Sequence, residues 1–125
     1  TTDLKELALR QKELELRRTL RELREGIDRF KVEYDKAKGN DKTKQEIFAQ
    51  RVSADRSGYP RTLEELIETK ILRRIPRDPM APETPWVTLS YSDSIDSTVS
   101  DARDVWDVRS SSKAAALDGT TYDTW

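Results

Sequence analysis

The chain has 125 residues, of which 38% are charged and 34% hydrophobic, and its formal net charge is −1. A charge this close to zero disfavours nucleic-acid binding driven by phosphate neutralisation. Cysteine and histidine are both absent from the sequence, which excludes disulfides, thiol nucleophiles, most zinc sites and the usual general base at neutral pH. No G-x-S-x-G, H-E-x-x-H or phosphate-binding glycine loop is present, so we expect a protein that is not an enzyme.

A long amphipathic helix is predicted from about Asp3 to Lys38. Apolar residues in its second half recur at alternating steps of four and three, which is one stripe of a helix; they are Leu16, Leu20, Leu23, Ile27, Phe30 and Tyr34. No proline interrupts the run, and Gly39 is expected to end it in the left-handed conformation. At 1.5 Å per residue the helix would extend roughly 50 Å, which is longer than a domain built from the remaining residues.

The first turns of this helix carry leucines at less regular positions: Leu4, Leu7, Leu9, Leu14 and Leu16. That irregularity disfavours a stable two-stranded coiled coil, which needs three or four clean heptads. Pairs four residues apart, such as Glu13 with Arg17 and Glu25 with Arg29, are expected to support the helix. The sequence starts with Thr1 inside the helical pattern, so we expect a processed or truncated piece whose missing part covers this end.

Two short helices are predicted between residues 39 and 85. The first, over 43–52, would bury Ile47, Phe48 and Val52. The second, over 62–70, starts with a threonine and a glutamate three residues apart, Thr62 and Glu65, which is the pattern of a capping box. Its predicted apolar face is Leu63, Leu66 and Ile67, and the next residues expected in the core are Ile71, Leu72 and Ile75.

Four prolines spaced by threes follow the second short helix: Pro76, Pro79, Pro82 and Pro85. This is the period of a polyproline II helix. The spacing predicts a stiff, extended connection into a strand, with a docking peptide for an aromatic groove as the alternative.

Two antiparallel strands are predicted for the last third, over 86–91 and 104–110, because both segments are rich in aromatic and β-branched residues. Val87, Leu89 and Tyr91 would share one face of the first strand. Trp106 and Val108 would share one face of the second. Trp125 is expected to pack on this sheet, since leaving a terminal tryptophan in water is unfavourable.

Aspartates accumulate from the loop between the strands to the C-terminus: Asp93, Asp96, Asp101, Asp104, Asp107, Asp118 and Asp123. This acidic segment could hold a cation or form a solvated loop.

The order of these motifs resembles the periplasmic part of the type II secretion major pseudopilins (general secretion pathway protein G), in the type IV pilin superfamily. The resemblance extends over about residues 20–125. The motifs that carry it are Gly58-Tyr59-Pro60 with Leu63 and Leu66, Ile75-Pro76 with Asp78-Pro79, and Asp118-Gly119 with Trp125. Each motif is weak alone, and their combination in this order is specific.

The resemblance implies an α+β, pilin-like fold in a single domain, 1–125. Its parts would be a truncated helix over 1–38, a connecting region over 39–85, and a small sheet with a C-terminal loop over 86–125. A hydrophobic helix preceding Thr1 would anchor the subunit in the inner membrane and later pack inside a periplasmic filament. The implied partners are other copies of the chain, minor pseudopilins and the inner-membrane secretion platform. The early leucines, from Leu4 to Leu16, would then contact neighbouring subunits, and such a heterologous contact generates an open filament.

The resemblance also implies a calcium site near the C-terminus, at Asp118 and Asp123. Calcium needs six to eight oxygen ligands, and the glycine-rich run typical of the family is missing here. The alternative is a tight turn at Asp118-Gly119 and a solvated Asp123, with the loop closed by Leu117, Tyr122 and Trp125. A second departure from the family is the long polar insert over 40–56.

Two other functions remain open at this point. One is a minor pseudopilin or a type IV pilin subunit. The other is an adaptor whose charged helix binds a partner protein.

Overall fold

The computed structural model describes residues 3–92 and 103–125. Its elements, in order, are α1 (Leu4–Lys38), α2 (Lys42–Ile47), α3 (Glu64–Glu68), β1 (Val87–Leu89), β2 (Asp107–Arg109) and a terminal 3-10 helix (Tyr122–Thr124). The two strands form one antiparallel sheet, in which Thr88 is paired with Val108. The chain is therefore α+β, with one long N-terminal helix and a small two-stranded antiparallel sheet, and the predicted class is confirmed at this level.

The long helix begins and ends close to its predicted limits. The Asp3 carboxylate accepts a hydrogen bond of 2.9 Å from the Lys5 amide and caps the first turn. At the other end, the Gly39 amide donates to the carbonyl of Asp35. Gly39 has φ −87°, so the predicted left-handed stop is wrong. The predicted apolar stripe is confirmed, since each of its six members is at most 2% exposed.

The first short helix, Lys42–Ile47, ends earlier than predicted, and of the three residues expected to be buried only Phe48, just after its end, is buried. Phe48 is 1% exposed, and its ring meets the ring of Phe30 edge-on at 5.0 Å. Ile47 and Val52 are 38% and 37% exposed, so their predicted burial is wrong. The helix ends at Ile47 and the chain reverses near Gln50, which has φ 67°, so the side chains on either side of Phe48 are turned away from the core.

The second short helix has five residues, and the capping box predicted at its start is not formed. The Glu65 carboxylate accepts from the Arg61 amide at 2.6 Å, because it is drawn towards two arginine side chains rather than towards Thr62. Leu63 and Leu66 are buried as predicted, whereas Ile67 is 39% exposed. The three apolar residues that follow pack against the core from its edge; they are Ile71, Leu72 and Ile75.

The proline-rich segment is bent rather than extended. The Ala81 amide donates to the carbonyl of Asp78, and the Thr84 amide donates to that of Ala81. Asp78 itself is 1% exposed and accepts a hydrogen bond from the Ser110 hydroxyl at 2.5 Å. This buried anchor pulls the chain into two successive turns, so the predicted stiff connection is wrong. A continuous polyproline II peptide is absent from the segment for the same reason.

The two strands have three residues each and are shorter than predicted. Val108 is fully buried, whereas Trp106 is 43% exposed, so the prediction that they share a face is wrong. Trp106 lies just before β2 and meets the ring of Tyr91 edge-on at 6.4 Å. Tyr91 is 63% exposed while Leu89 is buried, so those two residues do not share a face either. The predicted loop between the strands falls almost entirely outside the described residues, as do its aspartates, Asp93, Asp96 and Asp101.

Candidate functional site

The first half of α1 has apolar residues that the rest of the described chain does not cover. Leu4, Leu7 and Leu14 are 80%, 43% and 68% exposed. Leu9 is half-buried, and Leu16 is completely buried in the core. Leu16 therefore cannot belong to a subunit-contact surface, and that part of the sequence-based assignment is wrong. Its burial follows from the stripe that it begins, which continues into the core residues of the second half.

These leucines divide between two opposite sides of the helix. At about 100° per residue, Leu9 points to the same side as the core stripe, whereas Leu4, Leu7 and Leu14 point away from it. The mean directions of the three exposed leucines and of the core stripe differ by about 170°. We call the side that carries Leu4, Leu7 and Leu14 the outward face. The outward face is thus an apolar surface on the side of α1 opposite the buried stripe.

The C-terminal segment closes onto the helix at Glu13. Its carboxylate accepts from the Leu117 amide at 3.0 Å and from the Tyr122 hydroxyl at 2.7 Å. Burial and the neighbouring Glu13 carboxylate together raise the pKa of Tyr122 from 10.0 to about 12. Glu13 thus holds the end of the chain against α1 at the boundary between the exposed and the buried half of the helix.

Trp125 lies against the helix rather than on the sheet, which corrects the predicted position. The Arg17 guanidinium is 3.7 Å from the centre of the Trp125 ring, a stabilising cation–π contact. The indole nitrogen donates to the Thr120 hydroxyl at 2.8 Å. The main-chain oxygen of Trp125 accepts from Arg24 at 2.9 Å, and the same guanidinium binds the Asp107 carboxylate at 2.8 Å. One arginine of α1 therefore connects the helix, the sheet and the C-terminus.

Two open hollows lie along α1 on either side of Trp125. The first, of about 370 Å³, is lined by Arg10, Glu13, Leu14, Arg17, Leu117, Asp118 and Trp125. The second, of about 330 Å³, is lined by Arg17, Leu20, Arg21, Arg24, Glu25, Asp28 and Trp125. Trp125 and Arg17 line both hollows.

The two aspartates predicted to bind calcium are engaged separately. Asp118 accepts from the amide and the hydroxyl of Thr120 at 3.0 and 2.5 Å, and these hydrogen bonds hold the pKa of Asp118 below its usual 3.8. Asp123 accepts from the Thr121 hydroxyl at 2.6 Å. The two carboxylates line different hollows. Within residues 3–92 and 103–125, no three acidic residues are grouped as metal ligands, so the residues present do not fit calcium's need for many oxygens.

A tight turn, the alternative considered for this loop, is present. Gly119 has φ 89°, in the left-handed region, and its amide donates to the carbonyl of Ala116 at 3.0 Å. Tyr122 is 2% exposed and closes the loop as expected, whereas Leu117 is 45% exposed. Calcium binding stays a prediction, and the loop is held by the turn, by Tyr122 and by its contacts with α1.

Sequence reasoning missed the residues that hold this region together. Glu13 and Arg17 were expected to pair with each other, but each instead contacts the C-terminal segment. Arg29 pairs with Glu33 at 3.3 Å rather than with Glu25. Glu13 and Arg17 flank the core stripe, and only their position relative to that stripe could have singled them out.

No helix in the described part of the chain is long and apolar enough to cross a membrane. Comparison with models of known protein families, with curated proteins and with solved structures finds no match for this chain. The function is therefore inferred from the residues and geometry of the chain itself.

Proposed function

We propose that this chain is the periplasmic part of a structural subunit of a type II secretion pseudopilus. In this role, copies assemble into a periplasmic filament that helps push folded proteins through the outer-membrane secretin. The observation that carries the proposal is the division of α1, whose second half is packed in the core while the outward face of its first half is uncovered. The α+β layout, with one long helix and a small antiparallel sheet, is compatible with a pilin-like fold.

The exposed leucines suit this role because of where they are. Leu4, Leu7 and Leu14 lie on the side of the helix that points away from its own domain, so a partner can approach without displacing the core. Contacts of this kind join one surface of a subunit to a different surface of the next, and they extend without closing. A structural subunit needs no catalytic group, which agrees with a sequence that lacks histidine and cysteine.

The proposal also includes the anchoring and the partners. A hydrophobic segment preceding Thr1 in the natural protein holds the subunit in the inner membrane, with this chain in the periplasm. The partners are other copies of the chain, minor pseudopilins and the inner-membrane secretion platform, and nucleic acid is not among them.

Gene deletion with complementation tests the proposal. Deleting the gene should leave secreted proteins trapped in the periplasm, and the full-length gene should restore their export. A variant in which Leu4, Leu7 and Leu14 are replaced by serine should fail to restore export while its domain remains folded.

The matched control replaces three exposed apolar residues elsewhere, Val52, Ile67 and Val87, by serine. These side chains are 37%, 39% and 43% exposed, and this variant should restore export. Normal secretion in the deletion strain would contradict the proposal. Equal activity of the two triple variants would show that the outward leucines are not the contact.

A further inference from the structure

Three aromatic side chains from distant parts of the chain form a row at the surface. The rings of Tyr59 and Tyr91 stack with their centres 5.5 Å apart, and Tyr91 meets the ring of Trp106 edge-on at 6.4 Å. Tyr91 and Trp106 are 63% and 43% exposed, and Tyr59 is half-buried. We call these three residues the aromatic row. A contiguous group of exposed aromatic rings is a common mark of a binding site.

Backbone hydrogen bonds hold the aromatic row in place. The Tyr91 amide donates to the Asp104 carboxylate at 2.8 Å, and the Trp106 amide donates to the carbonyl of Leu89 at 2.7 Å. The Ser57 hydroxyl also donates to Asp104, which connects the loop before the first ring of the row to the other two rings. Asp104 is 6% exposed, so these bonds are shielded from water. The rings are therefore positioned before a ligand arrives, which lowers the entropic cost of binding.

A polar hollow of about 270 Å³ opens beside the first two rings of the row. The charged residues that line it are Asp55, Arg56, Arg61, Arg103 and Asp104. Arg56 is paired with Glu65, and Arg61 is paired with Asp55 at 3.4 Å. With Glu65 included, the arginines and the acidic residues of this group are equal in number. The hollow is thus polar but nearly balanced in charge, which suits a neutral ligand better than a phosphate or a carboxylate.

The rim of the hollow offers donors and acceptors side by side. The side chains of Asp55 and Arg61 are 78% and 53% exposed, so a ligand can reach both. A carboxylate only accepts hydrogen bonds and a guanidinium only donates them, whereas a hydroxyl group does both. Neighbouring hydroxyls of one ligand can therefore bind this pair together. Proline-rich peptides, another ligand class that binds aromatic grooves, have few N–H groups to donate to the carboxylate.

We infer that the aromatic row and the polar hollow form a binding site for a β-linked saccharide chain of the chitin or cellulose type. A sugar ring in such a chain has C–H groups on its flat faces and hydroxyls around its edge. The C–H groups are attracted to the electron-rich faces of aromatic rings, and the hydroxyls bind Asp55 and Arg61. Equatorial β-links keep the saccharide extended, so its successive rings can follow the aromatic row.

The size of the hollow agrees with this ligand. Its volume of about 270 Å³ is close to the lower end of the range of about 300–1,000 Å³ for small-ligand pockets. That is room for one sugar ring, with the rest of the saccharide lying along the exposed rings. The inference does not depend on the pseudopilus role, because every residue of the site lies outside α1.

An NMR titration of the isotopically labelled chain tests the inference through the indole N–H signals of its three tryptophans. Trp106→Phe identifies the Trp106 signal. Chitotetraose or cellotetraose, both β-linked, should shift that signal. The signals of Trp86 and Trp125 should stay in place, because both indoles donate within the chain, to Pro76 and to Thr120. Maltotetraose, whose α-links bend the chain, should bind about tenfold more weakly.

Two exposed side chains of the site can be removed separately. Tyr91→Ala should weaken binding of the β-linked probe by about tenfold, and Asp55→Ala should weaken it as well. The matched controls are Ile67→Ala and Glu46→Ala, which remove an exposed apolar side chain and an exposed carboxylate elsewhere. Both controls should bind like the wild type. Circular dichroism shows whether each variant is folded.

No shift of the Trp106 signal with either β-linked probe would overturn the inference. A shift caused by a proline-rich peptide but by no saccharide would replace it with a peptide-binding groove. Equal binding of maltotetraose would overturn the assignment to β-linked chains. None of these results bears on the pseudopilus role, which gene deletion tests separately.

Discussion

The cluster around Glu65 gives the most decisive stability prediction. Glu65 is 6% exposed, and its carboxylate accepts from Arg56 at 2.5 Å and from Arg51 at 2.8 Å. The Arg56 side chain is 4% exposed and lies under the rings of Phe30 and Tyr34. One of its nitrogens, Nε, is buried without a hydrogen-bond partner in the described residues, and the acidic residue that pairs with the Arg56 guanidinium is Glu65.

Replacing Glu65 by alanine should destabilise the fold by roughly 3–5 kcal/mol, because it leaves a buried guanidinium without its counter-charge. Glu68→Ala is the matched control, since Glu68 also pairs with Arg51 but its side chain is 49% exposed. Its loss should cost roughly 0–1 kcal/mol. Urea unfolding followed by circular dichroism gives both free energies.

The same cluster predicts how stability depends on pH. Burial alone would raise the pKa of Glu65, but hydrogen bonds from Arg56 and the Arg61 amide outweigh burial and hold it below the ordinary 4.5. A carboxylate whose pKa is lowered by folding stabilises the protein above its unfolded-state pKa, and this contribution is lost as the pH falls through the folded-state value. The advantage of the wild type over Glu65→Ala should therefore be complete above about pH 4.5 and shrink below it. Equal costs for Glu65→Ala and Glu68→Ala, or a pH-independent difference, would refute this reasoning.

Three further predictions concern packing, titration and backbone strain. Leu20→Ala should lower the free energy of unfolding, measured in urea, by roughly 2–5 kcal/mol. Leu14→Ala on the outward face should change it by no more than about 0.5 kcal/mol. Similar losses for the two variants would contradict the assignment of Leu20 to the core and of Leu14 to the exposed side of α1. In a spectrophotometric titration, Tyr122→Phe should remove a tyrosine that ionises near pH 12. Because folding raises the pKa of Tyr122 above its unfolded value of 10.0, the stabilisation by its hydroxyl should be complete below pH 10 and should disappear as the pH rises towards 12. Gly119→Ala should lower the free energy of unfolding by about 1–2 kcal/mol, from left-handed strain alone. Gly58→Ala should lower it more, because Gly58 has φ 96° and a Cβ there would also lie 3.1 Å from the Lys31 side chain. The opposite order of the two variants would contradict the turn geometry.

The long helix was predictable because its information is local. A stripe of six apolar residues at alternating steps of four and three fixes both the helix and its buried side, and all six are in the core. The conformation of Gly39 was not predictable in the same way. Its amide could bond to the carbonyls of the last helical turn without the left-handed geometry that glycine usually provides at this position.

Two of the other errors arise from contact between distant parts of the chain. Asp78 bends the proline segment through a bond to Ser110, and Trp125 rests on α1 through Arg24, 101 residues earlier in the chain. Residue spacing in the sequence gives no sign of either contact. The exposed side of α1 can be recognised from the sequence only by reference to the buried stripe.

If this chain is a filament subunit anchored by an apolar helix, the natural gene upstream of the codon for Thr1 should encode that helix. Sequencing this region should reveal a short basic leader ending in glycine, then about 20 apolar residues, enough to span a bilayer, with an early glutamate. A plain start codon at this point, or an upstream polar domain, would contradict the pseudopilin assignment and favour a helix that binds a different protein.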